Sequence, residues 1–263
     1  MSGEGSQSSW AARLWTSNLS DLGNKIALSG ATWRNAVASA DNRQQSTAGT
    51  VVARGLNCRL AVEIASHLPV PLALARPFLL HDNEQENLTG GWGRLRDPAE
   101  SPRYETVRRL CKKYAEDGFI LDVGCSQGIL QEGLAYSRYV GIDSHEQTVL
   151  RAAAQADDRT AFHHANADSY QPDQPPDAVV FNEVLYYLPH PLKTVQRYAR
   201  LLAPGGVLIV SLYLRTWATR RMLRQISNLY PVSESAVTTS HPRLAWRADV
   251  YRPRSKSRIF ERR

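Results

Sequence analysis

The chain has 263 residues, 43% apolar and 22% charged, enough for one packed α/β core and an extension but too little for two full-sized domains. That composition excludes a disordered or fibrous chain, while the formal charge of +7 leaves an anionic partner open. No membrane span is expected, because even the apolar run Leu68–Leu80 is broken by Pro69, Pro71, Arg76 and Pro77.

The first nine residues carry no basic region followed by an apolar block, so the expected location is cytoplasmic. Cys58, Cys111 and Cys125 are too scattered for a disulfide framework and no pair has metal-ligand spacing, so they read as reduced thiols with no metal site. Residues 1–50 are rich in Ser, Ala, Asn, Thr and Gly and read as a poorly ordered segment with a short helix around Trp10, Leu14 and Trp15. Residues 51–102 read as a helical extension and linker that would serve as a cap. Leu56, Leu60, Ile64 and Leu68 recur every four positions, prolines end that helix, and residues 81–102 are rich in turn formers.

The main domain is expected over residues 103–252. Its first helix would run from Arg103 to Glu116, with Val107, Leu110, Cys111 and Tyr114 on one face and Asp117-Gly118 as the stop. Short β-type runs then alternate with helical segments, the pattern of a parallel sheet covered on both faces. The predicted strands are Phe119–Val123, Tyr139–Ile142, Ala161–His164, Ala178–Asn182 and Gly206–Leu212. Helices are predicted over Gln127–Tyr136, Glu146–Gln155, Pro191–Leu202 and Trp217–Ser227, followed by two more strands. In the last of these, Leu244, Trp246, Ala248 and Val250 would face one way and Arg247 and Asp249 the other, after a turn at Ser240-His241-Pro242. Residues 253–263 form a basic tail, read first as a solvated terminus.

The chemistry begins at the first strand. Leu121-Asp122-Val123-Gly124-Cys125-Ser126-Gln127-Gly128 is a strand end, a tight glycine-bearing loop and a helix start, an arrangement that brings a ligand against backbone amides. Alone it fits a dinucleotide site or mere close packing equally. The next strand ends in Asp143, whose carboxylate is placed to accept from both hydroxyls of a ribose, and Asp168 follows the third strand beside the same crevice.

On these segments, over about residues 104–252, the chain resembles the class I S-adenosylmethionine-dependent methyltransferase family, of the small-molecule type. The resemblance rests on Asp122 to Gly128, on Asp177-Ala178-Val179-Val180-Phe181-Asn182-Glu183-Val184-Leu185-Tyr186-Tyr187-Leu188, and on Leu201-Leu202-Ala203-Pro204-Gly205-Gly206-Val207-Leu208. Ser126 stands where the family has its middle glycine. The resemblance implies a Rossmann-like, mostly parallel seven-stranded sheet with a final antiparallel strand, and S-adenosyl-L-methionine as cofactor. By position, Asp122 would order the loop and serve the cofactor's amino group, and Gly124 would be the point of closest backbone approach within a loop that includes Cys125, Ser126 and Gly128. Asp143 would bind the ribose with Ser144 beside the adenine. Asp168 would accept from the adenine amino group with the Ala167 backbone adjacent, and Asn182 would complete the cofactor set. The order of motifs argues against a nicotinamide enzyme.

Because a sulfonium is already an activated methyl donor, catalysis reduces largely to aligning a nucleophile and removing its proton. The acceptor is expected against the loop after the fourth strand, where Glu183, Tyr186, Tyr187 and His190 lie. His190 is the first candidate base, against the plainer reading that it starts a helix between two prolines. His163 and His164 face opposite sides of a strand and are read as core or solvent residues. The expected substrate is a small molecule methylated on oxygen or nitrogen. The second reading is an RNA methyltransferase, motivated by the basic balance but opposed by the lack of an Asn/Asp-Pro-Pro-aromatic run after strand four. It is also weakened because arginine greatly outnumbers lysine. The third reading is a protein that binds the cofactor without catalysis. Trp10, Trp15, Trp33 and Trp92 are candidates for core packing first, and for a pocket wall or a homodimer contact second.

Overall fold

The computed structural model describes residues 95–214, 216–241 and 244–253. The expectations for residues 1–94, among them the helix over 51–68 and the four N-terminal tryptophans, lie outside the described residues, as does most of the basic tail.

Helix α1 spans Ser101–Ala115, with Pro102 in its first turn and Lys112 and Lys113 in its last, where cations meet the negative end of the helix dipole. Its face of Val107, Leu110 and Cys111 is fully buried. Asp117 takes a left-handed φ of 54° to end it, and the chain turns into strand β1, Phe119–Val123, all five residues of which are buried. The side chain of Asp177 pins the start of that strand, accepting from Phe119 N at 2.8 Å.

The remaining elements are β2 (Arg138–Asp143), α2 (Glu146–Ala153), β3 (Thr160–His164), β4 (Ala178–Asn182), α3 (Pro191–Ala199), β5 (Val207–Tyr213), α4 (Trp217–Leu229), β6 (Val232–His241) and β7 (Leu244–Tyr251). They form one seven-stranded sheet in the order β3-β2-β1-β4-β5-β7-β6. β7 runs antiparallel to both its neighbours and all other pairs are parallel. Alternate residues of the central strands feed two cores. Ile120, Tyr139, Val180 and Ile209 pack with α1 and α2 on one face, while Leu121, Val140, Phe181 and Val210 pack with α3 and α4 on the other. Each fully buried large apolar side chain stabilises the fold by about 1.5–3 kcal/mol, which is why strands this short hold without solvent-facing sides.

The predicted helix Gln127–Tyr136 does not form. Gly128 adopts φ 74°, and only a 3-10 turn over Ile129–Gln131 follows before Gly133, at φ 73°, diverts the chain. Two left-handed residues five apart leave no room for an α-helix, and the turn is instead held from α1, where Arg108 donates to the carbonyls of Ile129 and Leu130. The predicted turn at Ser240-His241 is also overtaken: β6 continues to His241, which pairs with Leu244. In β7 the expected alternation of faces holds, with Ala248 and Val250 in one core and Tyr251 in the other, but Asp249 and Tyr251 are buried as well, because α4 covers their face.

Candidate functional site

Strand order reverses between β1 and β4, so the connections leaving their carboxyl ends diverge and open a crevice there. Register sets its rim. Val123 lies opposite both Ile142 and Phe181, which brings Gly124 and Glu183, just beyond β1 and β4, and Asp143 and Asn182, the last residues of β2 and β4, to the same end of the sheet.

The loop after β1 is tied to β2. Gly124 N and Cys125 N both donate to Ile142 O, at 2.8 and 3.0 Å, and Ser126 N donates to Asp143 Oδ2 at 3.0 Å. Asp143 Oδ1 also accepts from His145 N at 3.0 Å. A carboxylate offers about four acceptor positions, so Asp143 orders the loop and keeps capacity for further donors. The loop-ordering part expected of Asp122 therefore falls to Asp143. At Gly124, φ is 78°, and a Cβ there would overlap the Val184 side chain, so the missing side chain lets the loop after β4 close against this one. Ser126 reaches the same left-handed region, φ 49°, with a side chain. The Cys125 side chain turns into the core toward Gly141, and burial pushes its thiol pKa well up. Gly128 packs against the Phe162 ring.

Asp122 is buried under this loop. Its Oδ2 accepts from Tyr139 Oη at 2.6 Å, and Oδ1 has no partner among the described residues. Burial pushes its pKa up to about 7, opposed by the Tyr139 hydrogen bond and assisted by the charge of Asp143. On the β3 side, Asp168 is exposed and its Oδ1 accepts from Thr194 Oγ1 at 2.6 Å, while Ala167 O accepts from Tyr198 Oη at 2.9 Å. Exposed Ser144 accepts at its carbonyl from His164 Nε2, at 3.0 Å, if that nitrogen carries the proton. His163 and His164 both face solvent, as the solvent half of their reading held.

The β4 end carries a second polar cluster. Arg103 of α1 is buried, with Nε and Nη2 donating to Glu100 Oε2 at 3.0 and 2.8 Å and Nη1 donating to Asn182 Oδ1 at 2.7 Å. Its guanidinium lies 4.2 Å from the centre of the Tyr104 ring. Burial opposes its charge, but Tyr104, Glu100 and Glu183 together hold its pKa above the ordinary value. Next to Asn182, Glu183 has φ 62°, its N–H donates to Ser211 O at 3.0 Å, and its Oε2 accepts from Tyr186 Oη at 3.0 Å. Its Oε1 is buried with no partner among the described residues. Burial pushes the Glu183 pKa up to about 7 despite the nearby Arg103 charge. Tyr186 and Tyr187 rings pack together, 4.6 Å between centres.

His190 is exposed at the N-cap of α3, and its ring makes no capping hydrogen bond. It thus starts a helix, as its plainer reading had it. The residue that sequence reading missed is Arg103, taken only as a helix start; the Glu100-x-x-Arg103 spacing is a visible signal of an ion pair, but its contact with Asn182, 79 residues away, is not.

A family model for a methyltransferase domain matches residues 96–261. The chain belongs to the class I S-adenosylmethionine-dependent methyltransferase family. Among its relatives, trans-aconitate 2-methyltransferase of Methylobacterium nodulans is 32% identical over 134 residues, 48% of this chain and 51% of that protein. Ubiquinone biosynthesis O-methyltransferase of Aromatoleum aromaticum is 32% identical over 99 residues, 35% of this chain and 42% of that protein. The chain thus spans about half the length of the curated relatives it matches. The crystal structure of N-methyltransferase NodS from Bradyrhizobium japonicum WM9, in complex with S-adenosyl-L-homocysteine, shares the fold. Its TM-score is 0.55 at 22% identity, with 62% of this chain and 91% of that one covered. Among the described residues of this family member, no helix is long and apolar enough to cross a membrane.

The residues present fit the family's cofactor, S-adenosylmethionine. Asp122 Oδ1 is a buried acceptor lacking a donor among the described residues, and the Asp143 carboxylate has acceptor capacity left at the same strand end.

Proposed function

We propose that this methyltransferase transfers a methyl group from S-adenosylmethionine to an oxygen or nitrogen of a small-molecule acceptor. The observation that carries the reading is the pairing, at the carboxyl ends of β1 and β4, of two buried carboxylates each with one unpartnered oxygen among the described residues. One would suit the cofactor's charged amino group, and the other would serve the acceptor.

Bound S-adenosylmethionine supplies an activated methyl group on a sulfonium. Asp143 would hold the ribose hydroxyls and Asp122 the amino group. The backbone of the Gly124–Gly128 loop, Cys125 and Ser126 included, would carry the methionine portion. Asp168, with one oxygen already fixed by Thr194, would accept from the adenine amino group beside Ala167 and Ser144. Asn182, oriented by Arg103, would keep its amide nitrogen free as a donor toward the crevice. Positioning then provides much of the rate, since holding two reactants in line replaces a bimolecular encounter.

Calorimetry with S-adenosylhomocysteine tests the cofactor half, and transfer of a tritiated methyl group to small-molecule acceptors tests the reaction. A folded protein that fails to bind S-adenosylhomocysteine at high micromolar concentration would sink the reading.

A further inference from the structure

We propose that Glu183, and not His190, is the catalytic base of the acceptor half of the site, and that it serves an amine, phenol or alcohol rather than a carboxylate. The inference rests on the methyl-transfer reading above. Three features of the structure support it.

Glu183 is held in a left-handed conformation that a side chain adopts only under constraint, and such strain gathers at functional sites. Its amide is fixed by Ser211 O and the next residue, Val184, packs against Gly124 of the loop after β1, so the strained residue borders the cofactor loop itself. Tyr186 fixes Oε2 of its carboxylate, while Oε1 is buried with no hydrogen-bond partner among the described residues. An acceptor N–H or O–H supplies one.

The charges decide the acceptor class. Among the described residues Arg103 is the cation of this cluster, but three of its five N–H donors are taken by Glu100 and Asn182 and one face lies on Tyr104, so little of it is left for an acceptor carboxylate. Glu100 already balances it and Asp122 is given to the cofactor's amino group, which leaves Glu183 as the excess acid of this cluster among the described residues. A carboxylate acceptor would meet like charge there in a poorly solvated setting. The elevated pKa of Glu183, about 7, lets it accept a proton near neutral pH while remaining partly ionised. In the transfer, the lone pair of the acceptor's nitrogen or oxygen forms the new bond to the methyl carbon. The carbon–sulfur bond breaks with its electron pair left on sulfur, and the proton of that nitrogen or oxygen passes to Glu183 Oε1.

The test uses the full chain saturated with S-adenosylhomocysteine, titrated separately with benzylamine, catechol and trans-aconitate, and tritiated methyl transfer to the same three probes. Benzylamine or catechol is expected to bind and to be methylated. Glu183→Gln should then lower transfer at least about 100-fold, within the usual range for general-base catalysis, while S-adenosylhomocysteine affinity stays within about twofold. Tyr186→Phe keeps the carboxylate but removes a hydrogen bond that lowers its pKa. The rise of rate with pH should therefore move to higher pH in that variant, with Arg103 of α1, Glu100 at its N-cap and the Tyr213 amide from β5 unchanged around it. If the wild-type chain does not bind S-adenosylhomocysteine, the methyl-transfer reading itself fails. If it does, trans-aconitate as the accepted probe, no binding of either other probe, wild-type transfer by Glu183→Gln, or an unmoved pH profile in Tyr186→Phe would each overturn the Glu183 assignment alone.

Discussion

Asp122 and Glu183 lie at the ends of neighbouring parallel strands, and burial pushes both toward a pKa of about 7, yet they are held in opposite ways. Asp122 sits in regular strand, with Tyr139 of the adjacent strand donating to it, so its position follows from sheet register. Glu183 stands just beyond its strand on strained backbone, beside an arginine delivered from α1. The strand end fixes a group by repetition of local geometry; the loop fixes one only by long-range contacts. A binding residue can rely on the first, while a group that must exchange protons with varied acceptors is better served by the second.

The largest effect expected from breaking this contrast is at Arg103. Arg103→Met leaves Glu100 without its cation in a buried place, and losing one partner of a buried pair costs about 3–5 kcal/mol. Denaturant unfolding should show that loss, whereas a change under 1 kcal/mol would mean the cluster is more hydrated than its burial implies. Asp143→Ala removes the acceptor expected for the ribose, where hydrogen bonds to a charged group are worth about 1.5–3 kcal/mol each. S-adenosylhomocysteine binding should weaken by roughly 10-fold to 100-fold or more by calorimetry, with circular dichroism unchanged.

Protonation sharpens the comparison next. Asp122 and Glu183 have folded pKa values of about 7 against ordinary values of 3.8 and 4.5, so the folded protein retains protons that the unfolded chain releases between these limits. The sign follows: their contribution to stability is most favourable below about pH 4 and declines as pH rises to about 7. Ligand binding should run the other way. A cationic amino group needs Asp122 ionised, so S-adenosylmethionine affinity should fall below pH 7 by up to about tenfold per unit, and a flat profile from pH 6 to 8 would break the assignment. The smallest effect is at Ser126, where Ser126→Gly relieves a positive φ but loosens the unfolded chain. A net gain of no more than about 1 kcal/mol in thermal unfolding is expected, with cofactor binding retained.

Much of the fold was legible because the signal was local. Phe119–Val123 and Ala178–Asn182 are apolar runs bounded by breakers, and both strands form with the predicted ends. The helix after Asp122-x-Gly failed for an equally local reason read too lightly: Gly128 and Gly133 both take left-handed conformations, and the gap was filled from α1 by Arg108, which no pattern within the segment announces. Alternation places Asp249 on the face opposite Ala248 and Val250, and says nothing of what covers that face. Asp249 is fully buried because α4 covers its face too, with Arg247 and the Tyr251 hydroxyl donating to its two oxygens.

The sequence by itself determined the order of the strands and of the helices other than the one expected over Gln127–Tyr136, the family resemblance, and the positions of Asp122, Asp143 and Asp168, because each depends on residues adjacent in the chain. Only the tertiary structure decided which acids are buried and what they touch. Desolvation and pairing depend on segments far apart in sequence, such as Arg103 and Asn182, that meet when α1 packs on the sheet.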